Sequence, residues 1–320
     1  MKNNIALITG GRGAIGSALA SRLASEGFGS VYIVDNLSAG AHNDRSVGEF
    51  IHCDISNSEK FGVLVKSIAP THVFHLAAHF ANQNSVDFPL SDAQTNVIGT
   101  INLFESLRDV GALQKVVYAS SSCVYGDAPI MSESVVLPAF ETPYAITKYV
   151  GELYAKYYAD LHRIPAVSIR IFNTYGPGEA PGRYRNVIPN FINLALDGEP
   201  ITITGNGMET RDFTYVEDTV DLLLRASSSE YVHGEIFNGG TGVETKIADL
   251  AQLILHLTGS QSEVRFVSRR GWDQIANRKA ENEKSRLYLG YHPQTTLEQG
   301  LVPTIDWIKR WKNNQLASRP

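Results

Sequence analysis

Cysteine is nearly missing from this chain: Cys53 and Cys123 are the only two in 320 residues. Two thiols cannot build a disulfide framework, and their spacing matches no zinc knuckle, so a reducing, cytoplasmic setting is expected. No uninterrupted apolar run approaches the roughly 18 residues of a membrane span. The apolar start, "MKNNIALITGG", is too short for a signal peptide and ends in glycines. Basic charge is not in surplus either: 28 Lys and Arg stand against 33 Asp and Glu, a net charge of -5. That balance argues against nucleic acid or an anionic membrane surface as partner. Repeats and low-complexity tracts are absent. His72, His75 and His79 lie close together, but residues three apart in an extended segment point to opposite faces, so no metal site is expected.

What the chain does have is length and a recurring pattern. With 43% hydrophobic residues it can form one large or two medium cores. Short β-branched runs alternate with helical patterns: "NIALITG" then "AIGSALASRLASEG", "SVYIVD", "EFIHCD" then "SEKFGVLVKSIA", "HVFHLAA", "TINLFESLRDVG", "KVVYASSS", "YAITKYVGELYAKYYADLH" and "AVSIRIF". Such alternation implies an α/β domain with a Rossmann-type doubly wound parallel sheet, whose ligands bind beyond the carboxyl ends of the strands. After residue 172 the texture turns Pro- and Gly-rich. We therefore expect a first domain over 1–172, rejoined by part of 212–240, and a smaller C-terminal substrate-binding domain over 173–320, with the site in the crevice between them.

"LITGGRGAIG" sets Gly10, Gly13 and Gly16 after a strand and at the start of a helix. The glycines serve a tight turn, close approach to a pyrophosphate and helix-on-strand packing, and the helix N-terminus offers N–H groups to phosphate. Asp35 ends the next strand, where a carboxylate can hold a ribose diol. It favours NAD over NADP, although Arg12 inside the turn could meet a 2′-phosphate. Asp54, after the third strand, is expected on the adenine side. "PYAITK" then places Tyr144 and Lys148 four apart on one helix face, where the ammonium is expected to lower the phenol's pKa toward useful base strength.

Glycine turn, acidic strand end, serine-rich "ASSSCVYG" and Tyr-x-x-x-Lys occur in the order and spacing of the short-chain dehydrogenase/reductases. More narrowly, the chain resembles the extended branch, the NAD-dependent sugar-nucleotide epimerases and dehydratases. The resemblance runs nearly end to end, through "VDNLSAG", "HLAAH", "NVIGT", "RIFNTYGPG", "RDFTYVEDTVD" and "LGYHPQTTLEQGL". It implies a bound NAD as transient hydride store. Tyr144 is then the base toward a sugar hydroxyl, Lys148 holds the nicotinamide ribose, and Ser121, three before Val124, relays the proton, with Ser120 as scaffold. Carried onto these motifs, the cofactor contacts also include Ala14, Ile15, Asn36, Ser38, Ile55, Leu76, Ala77, Ala78 and Asn96. For a nucleoside diphosphate sugar they are Ser122, Asn173, Asn186, Val187, Thr202, Thr204 and Arg211, with Arg269 or Arg270 as a second phosphate clamp.

Dehydratases of the branch carry Asp and Glu after the active-site Thr; here those positions are Ser122 and Cys123. The Glu that decarboxylating relatives commonly place nearby is also missing. The resemblance thus points to a 4-epimerase acting on a UDP-hexose or its N-acetylamino relative. A dehydratase or decarboxylase, a UDP-hexuronate 4-epimerase and a non-catalytic NAD-binding regulator are the alternatives. Cys123 reads as a packing residue under the sugar. Aligning "GWDQIAN" puts Asn277, subject to a one-residue shift at Trp272, where epimerases restricted to plain hexoses have a bulky Tyr; this favours tolerance of an N-acetyl group. The helices near 92–110 and 144–162 correspond to a four-helix interface, so a homodimer is expected.

Overall fold

The structure is a computed structural model describing residues 4–39, 47–128, 130–135, 140–230, 232–273 and 275–317. Gly40, the last residue of "VDNLSAG", and Gln274 within "GWDQIAN" lie outside the described residues. Seven strands form the central sheet: β1 (Ile5–Thr9), β2 (Ser30–Asp35), β3 (Glu49–His52), β4 (His72–His75), β5 (Lys115–Ser121), β6 (Ala166–Ile171) and β7 (Ile236–Gly239). Their order is β3-β2-β1-β4-β5-β6-β7, and every pair is parallel. The doubly wound α/β architecture read from the alternation is the one observed. β7 pairs with β6 although some 65 residues separate them in the chain, a return that no local pattern dictates.

Alternation along β1 sorts the core. Ala6 and Ile8 face one layer with Leu19 and Leu23 of helix α1 (Ala14–Ser25), while Leu7 faces the other with Phe61 and Val65 of α2 (Ser58–Ile68). That second layer adds α3 (Gly99–Leu107) and α4 (Pro143–His162), whose Phe104 and Tyr158 rings stack at 5.0 Å. β5 is buried along its whole length, as a central parallel strand must be when helices cover both faces. A third cluster packs α5 (Val187–Asp197), α7 (Ile247–Thr258) and α8 (Leu297–Ala317) around the strand Ile201–Thr204. Between α5 and α7 in the chain, α6 (Val216–Ser228) joins the α1 side of the sheet. The carboxyl ends of β1, β4 and β5 face the α5 cluster across a cleft.

Candidate active site

The cleft encloses about 550 Å³ and draws its walls from the strand ends, the glycine turn, α4, α5 and the segment 269–278. Gly10 has φ +70, and a side chain there would meet the Ala77 backbone at 2.6 Å. A Cβ on Gly16 would lie 2.5 Å from the Gly10 carbonyl, whereas one on Gly13 would meet only that carbonyl, at 3.3 Å. Gly16 therefore packs helix on strand, and Gly13 leaves space in the cleft. As N-cap of α1, Gly13 offers no side-chain cap, so the N–H groups of Ala14, Ile15 and Gly16 are presented to that space. This is a cradle for a pyrophosphate. Gly16→Val is expected to destabilise the fold by about 1–3 kcal/mol through overpacking. Gly13→Val should instead weaken NAD binding tenfold or more with a smaller change in melting temperature; titrating NAD against both variants checks the split.

Asp35 ends β2 at the cleft rim. Its Oδ2 accepts from the Arg12 N–H at 3.0 Å and its Oδ1 from the Leu37 N–H at 2.8 Å. The Arg12 guanidinium lies 4.4 Å over the Phe50 ring, so this residue meets Asp35 through its main chain. Asn36, Ser38, Ile55, Leu76, Ala77 and Ala78 also line the cleft. Asp54 does not: its carboxylate accepts from Asn36 Nδ2 at 2.9 Å and from the Ser56 N–H at 2.8 Å. Desolvation pushes its carboxyl up, but these hydrogen bonds hold it below the usual value. Asp54 thus braces Asn36, which lines the cleft beside Cys53 and Ile55.

Ser121 closes β5 in extended backbone, and its Oγ accepts from the Cys123 N–H at 3.2 Å. Tyr144, in the first turn of α4, donates its N–H to Ser85 Oγ at 3.0 Å and sets its ring edge-on to Phe80. One turn later, Lys148 Nζ lies 5.9 Å from the Tyr144 ring centroid and donates to the Ala119 carbonyl at 2.8 Å. All three line the cleft. Proton affinities differ from the sequence reading. Burial pushes the Tyr144 phenol well above its ordinary value, the charges of Cys123 and Asp92 add to this, and hydrogen bonding by Ser121 opposes it. Burial also brings the Lys148 ammonium down to about 8, against Asp92 and Glu152. In the protein's own field Tyr144 is a proton donor, because desolvation outweighs a lysine whose own charge is weakened by the same burial.

A buried polar frame supports this row. Ser120, the expected scaffold, donates to Glu152 Oε1, which also takes Arg170 Nε at 2.9 Å; Arg170 Nη2 meets Glu152 Oε2 at 2.8 Å. Asn96, expected as a cofactor contact, is tied into this frame. It sits on a π-helical turn, 1% exposed and off the cleft wall, donating to Asp92 at 2.8 Å and accepting the His79 N–H at 2.8 Å. The histidines go separate ways. His75 lies between Thr9 and Thr100 and is driven by burial to about 3, His72 bonds Thr71, and His79 meets Asn84. Among the described residues, no three His, Cys, Asp or Glu converge to hold a metal ion.

Across the cleft stand Asn173, Asn186, Val187, Thr202, Thr204, Arg211, Arg269 and Arg270. Arg211 donates to the Thr210 carbonyl at 2.8 Å and meets Asp273 at 3.4 Å; burial first, then the neighbouring Arg278, brings it down to about 10. Arg269 pairs with Glu209 at 2.9 Å, and Arg270 lies 5.6 Å from the Trp272 ring. Asn277 is corrected: it is exposed, off the cleft wall, and accepts from Thr210 Oγ1 at 3.2 Å. Its successor Arg278 is the residue that enters, with Nη1 3.1 Å from Cys123 Sγ and 3.4 Å from Ser122 Oγ. Burial would raise the Cys123 thiol, but Arg278 and hydrogen bonds from Ser121 and Asn82 hold it below its usual value. The size argument built on Asn277 therefore has no support. Sequence reasoning also passed over Phe80, Asn82 and Glu141, which line the cleft from loops or, for Asn82, from the start of a short helix; the one-residue shift noted at Trp272 pointed toward Arg278.

Comparison with known proteins gives the same region a context. The family model described as "NAD dependent epimerase/dehydratase family" matches residues 6–240. UDP-glucose 4-epimerase of Mycolicibacterium smegmatis is 36% identical over 310 residues, 95% of this chain and 98% of that protein. UDP-N-acetyl-alpha-D-glucosaminuronate decarboxylase of Bacillus cytotoxicus is also 36% identical, over 96% of this chain and 98% of its own. The solved structure of an epimerase from Methanothermobacter thermautotrophicus superposes with a TM-score of 0.93 at 39% identity, covering 99% of this chain and 95% of that one.

Proposed function

Since the chain belongs to the NAD-dependent epimerase/dehydratase family, we propose that it is a 4-epimerase of a uridine diphosphate sugar, with Ser121, Tyr144 and Lys148 as its reacting groups. The observation that carries this reading is at Ser122 and Cys123. These side chains follow Ser121 directly and meet Arg278, so the place beside the reacting carbon has a hydroxyl and a thiol where an eliminating enzyme needs an acid–base pair of carboxylates. NAD, when bound, supplies the hydride acceptor and returns the hydride. The glycine turn and the first turn of α1 hold its pyrophosphate, Asp35 its adenosine ribose, and Lys148 the nicotinamide ribose.

Tyr144 and Ser121 would handle the sugar oxygen: the positive charge of an oxidised nicotinamide would favour the Tyr144 phenolate, which takes the O4 proton during oxidation and, as phenol, gives it back during reduction, while Ser121 hydrogen-bonds that oxygen. Arg211 and Arg269 face the diphosphate. The 4-keto intermediate, planar at C4, must then turn to present its other face before it is reduced. A panel of UDP-, dTDP-, GDP- and CDP-sugars followed by mass and proton NMR tests this. Epimerisation leaves mass unchanged, loss of water or carbon dioxide would replace the reading with dehydration or decarboxylation, and unaltered sugars with NAD still bound would favour a regulator.

The Lys148 ammonium gives a pH signature. It is charged below about 8 and gives up its proton above, so turnover that depends on it should fall tenfold per pH unit beyond that point. A kcat profile flat to pH 9.5 would count against this role. We also read the outer face of α4, with Ile146, Leu153, Tyr157 and Leu161 all at least 45% exposed, as one half of a homodimer interface. Sedimentation should give a dimer at micromolar concentration and a monomer for Leu153→Glu with Leu161→Glu.

A further inference from the structure

We propose that Arg278 reads a carboxylate on the sugar, so that the preferred substrate is a nucleoside diphosphate hexuronate. The proposal rests on the epimerase reading and names its substrate class. Arg278 is 5% exposed, yet its guanidinium lines the cleft. Among the described residues its Nη1 meets Ser122 Oγ and Cys123 Sγ, and its buried Nε has no hydrogen-bond partner. A guanidinium stays charged at any ordinary pH, and a buried charge is costly unless paired.

The carboxylates of the cleft walls are engaged elsewhere: Asp273 with Arg211, Glu209 with Arg269, Glu179 with Asn186, and Asp35 with the glycine turn. Glu141 feels the Arg278 charge but forms no ion pair with it. Among the described residues the guanidinium thus has two weak acceptors and no anion. Position selects what completes it. Ser122 and Cys123 follow Ser121, which handles O4, so the space before Arg278 adjoins a carbon next to C4. Of the two, C3 bears a hydroxyl, whereas C5 bears C6, the substituent there that can carry an anion. A C6 hydroxymethyl cannot neutralise a buried guanidinium; a C6 carboxylate can, with two oxygens for the planar fork. Arg211 lies near enough to feel the same charge, so the rival anion is the diphosphate.

The test measures kcat/KM of the wild-type holoenzyme for UDP-glucuronate and UDP-galacturonate against UDP-glucose and UDP-galactose, with Kd for UDP alone. The acid sugars should be preferred by about 30-fold or more, the range of a charge-assisted contact. In Arg278→Met that ratio should shrink at least tenfold while Kd for UDP moves less than threefold, and Arg278→Lys should recover part of it. Wild-type preference for neutral hexoses overturns the proposal and leaves the epimerase reading intact. Equal loss for all sugars and for UDP assigns Arg278 to the diphosphate and overturns it too. Carbon dioxide release from the acid sugars would sink the epimerase reading and keep the Arg278 assignment. If nothing turns over, calorimetric binding of UDP-glucuronate against UDP-glucose to wild type decides, and equal affinities refute the proposal.

Discussion

Tyr144→Phe is expected to lower kcat by at least about 10³-fold while the protein keeps its fold and its NAD. The upper range of general acid–base catalysis is about 10⁴, and here no second group can stand in. Tyr144 is 6% exposed, Lys148 spends a donor on the Ala119 carbonyl, and Ser121 is already an acceptor for the Cys123 N–H. The lost hydroxyl contributes little to folding. The ring keeps its contact with Phe80 and the backbone its bond to Ser85, so stability should change by no more than about 1 kcal/mol. Single-turnover epimerisation, NAD content after purification and a denaturant curve separate these effects. Turnover within tenfold of wild type would remove Tyr144 from the proton path.

Arg170→Met should destabilise the protein by about 3–5 kcal/mol, the cost of leaving a buried charge without its partner. The Glu152 side chain is fully buried and that of Arg170 3% exposed, with two hydrogen bonds between them. The pair joins β6 to α4, and through Ser120 it also grips β5 one residue before Ser121. The double variant Arg170→Met with Glu152→Met should recover much of the loss, since apolar side chains of similar size remove both charges together. It should not recover all, because Ser120 loses its acceptor. Urea midpoints at constant slope would measure this; a single variant within about 1 kcal/mol of wild type would mean that the pair adds little to stability.

Much of the site is legible from short-range pattern. The glycine turn, Asp35, Ser121, Tyr144 and Lys148 all depend on strand ends and helix periods that neighbouring residues set, and all reach the cleft. Asp54 and Asn96 carry the expected chemistry near the expected elements, and local partners engage them, Asn36 and Ser56 for one, Asp92 and His79 for the other. No spacing rule reveals which neighbour a short polar side chain will choose.

What the sequence by itself determined is the doubly wound sheet and the glycine turn, because each follows from period-2 or period-3.6 alternation and from steric needs of single glycines; the groups proposed to react were named by resemblance. Tertiary structure decided the rest. In the irregular stretch from Ile275 to Ala280, Ile275, Arg278 and Ala280 are buried while Ala276 and Asn277 face out, and a shift of one residue exchanges a neutral amide for a guanidinium at the cleft. Proton affinities are tertiary as well. Tyr144 and Lys148 are four apart in any helix, but only burial among Phe80, β5 and the polar frame makes the phenol hold its proton more tightly and the ammonium hold its own less tightly.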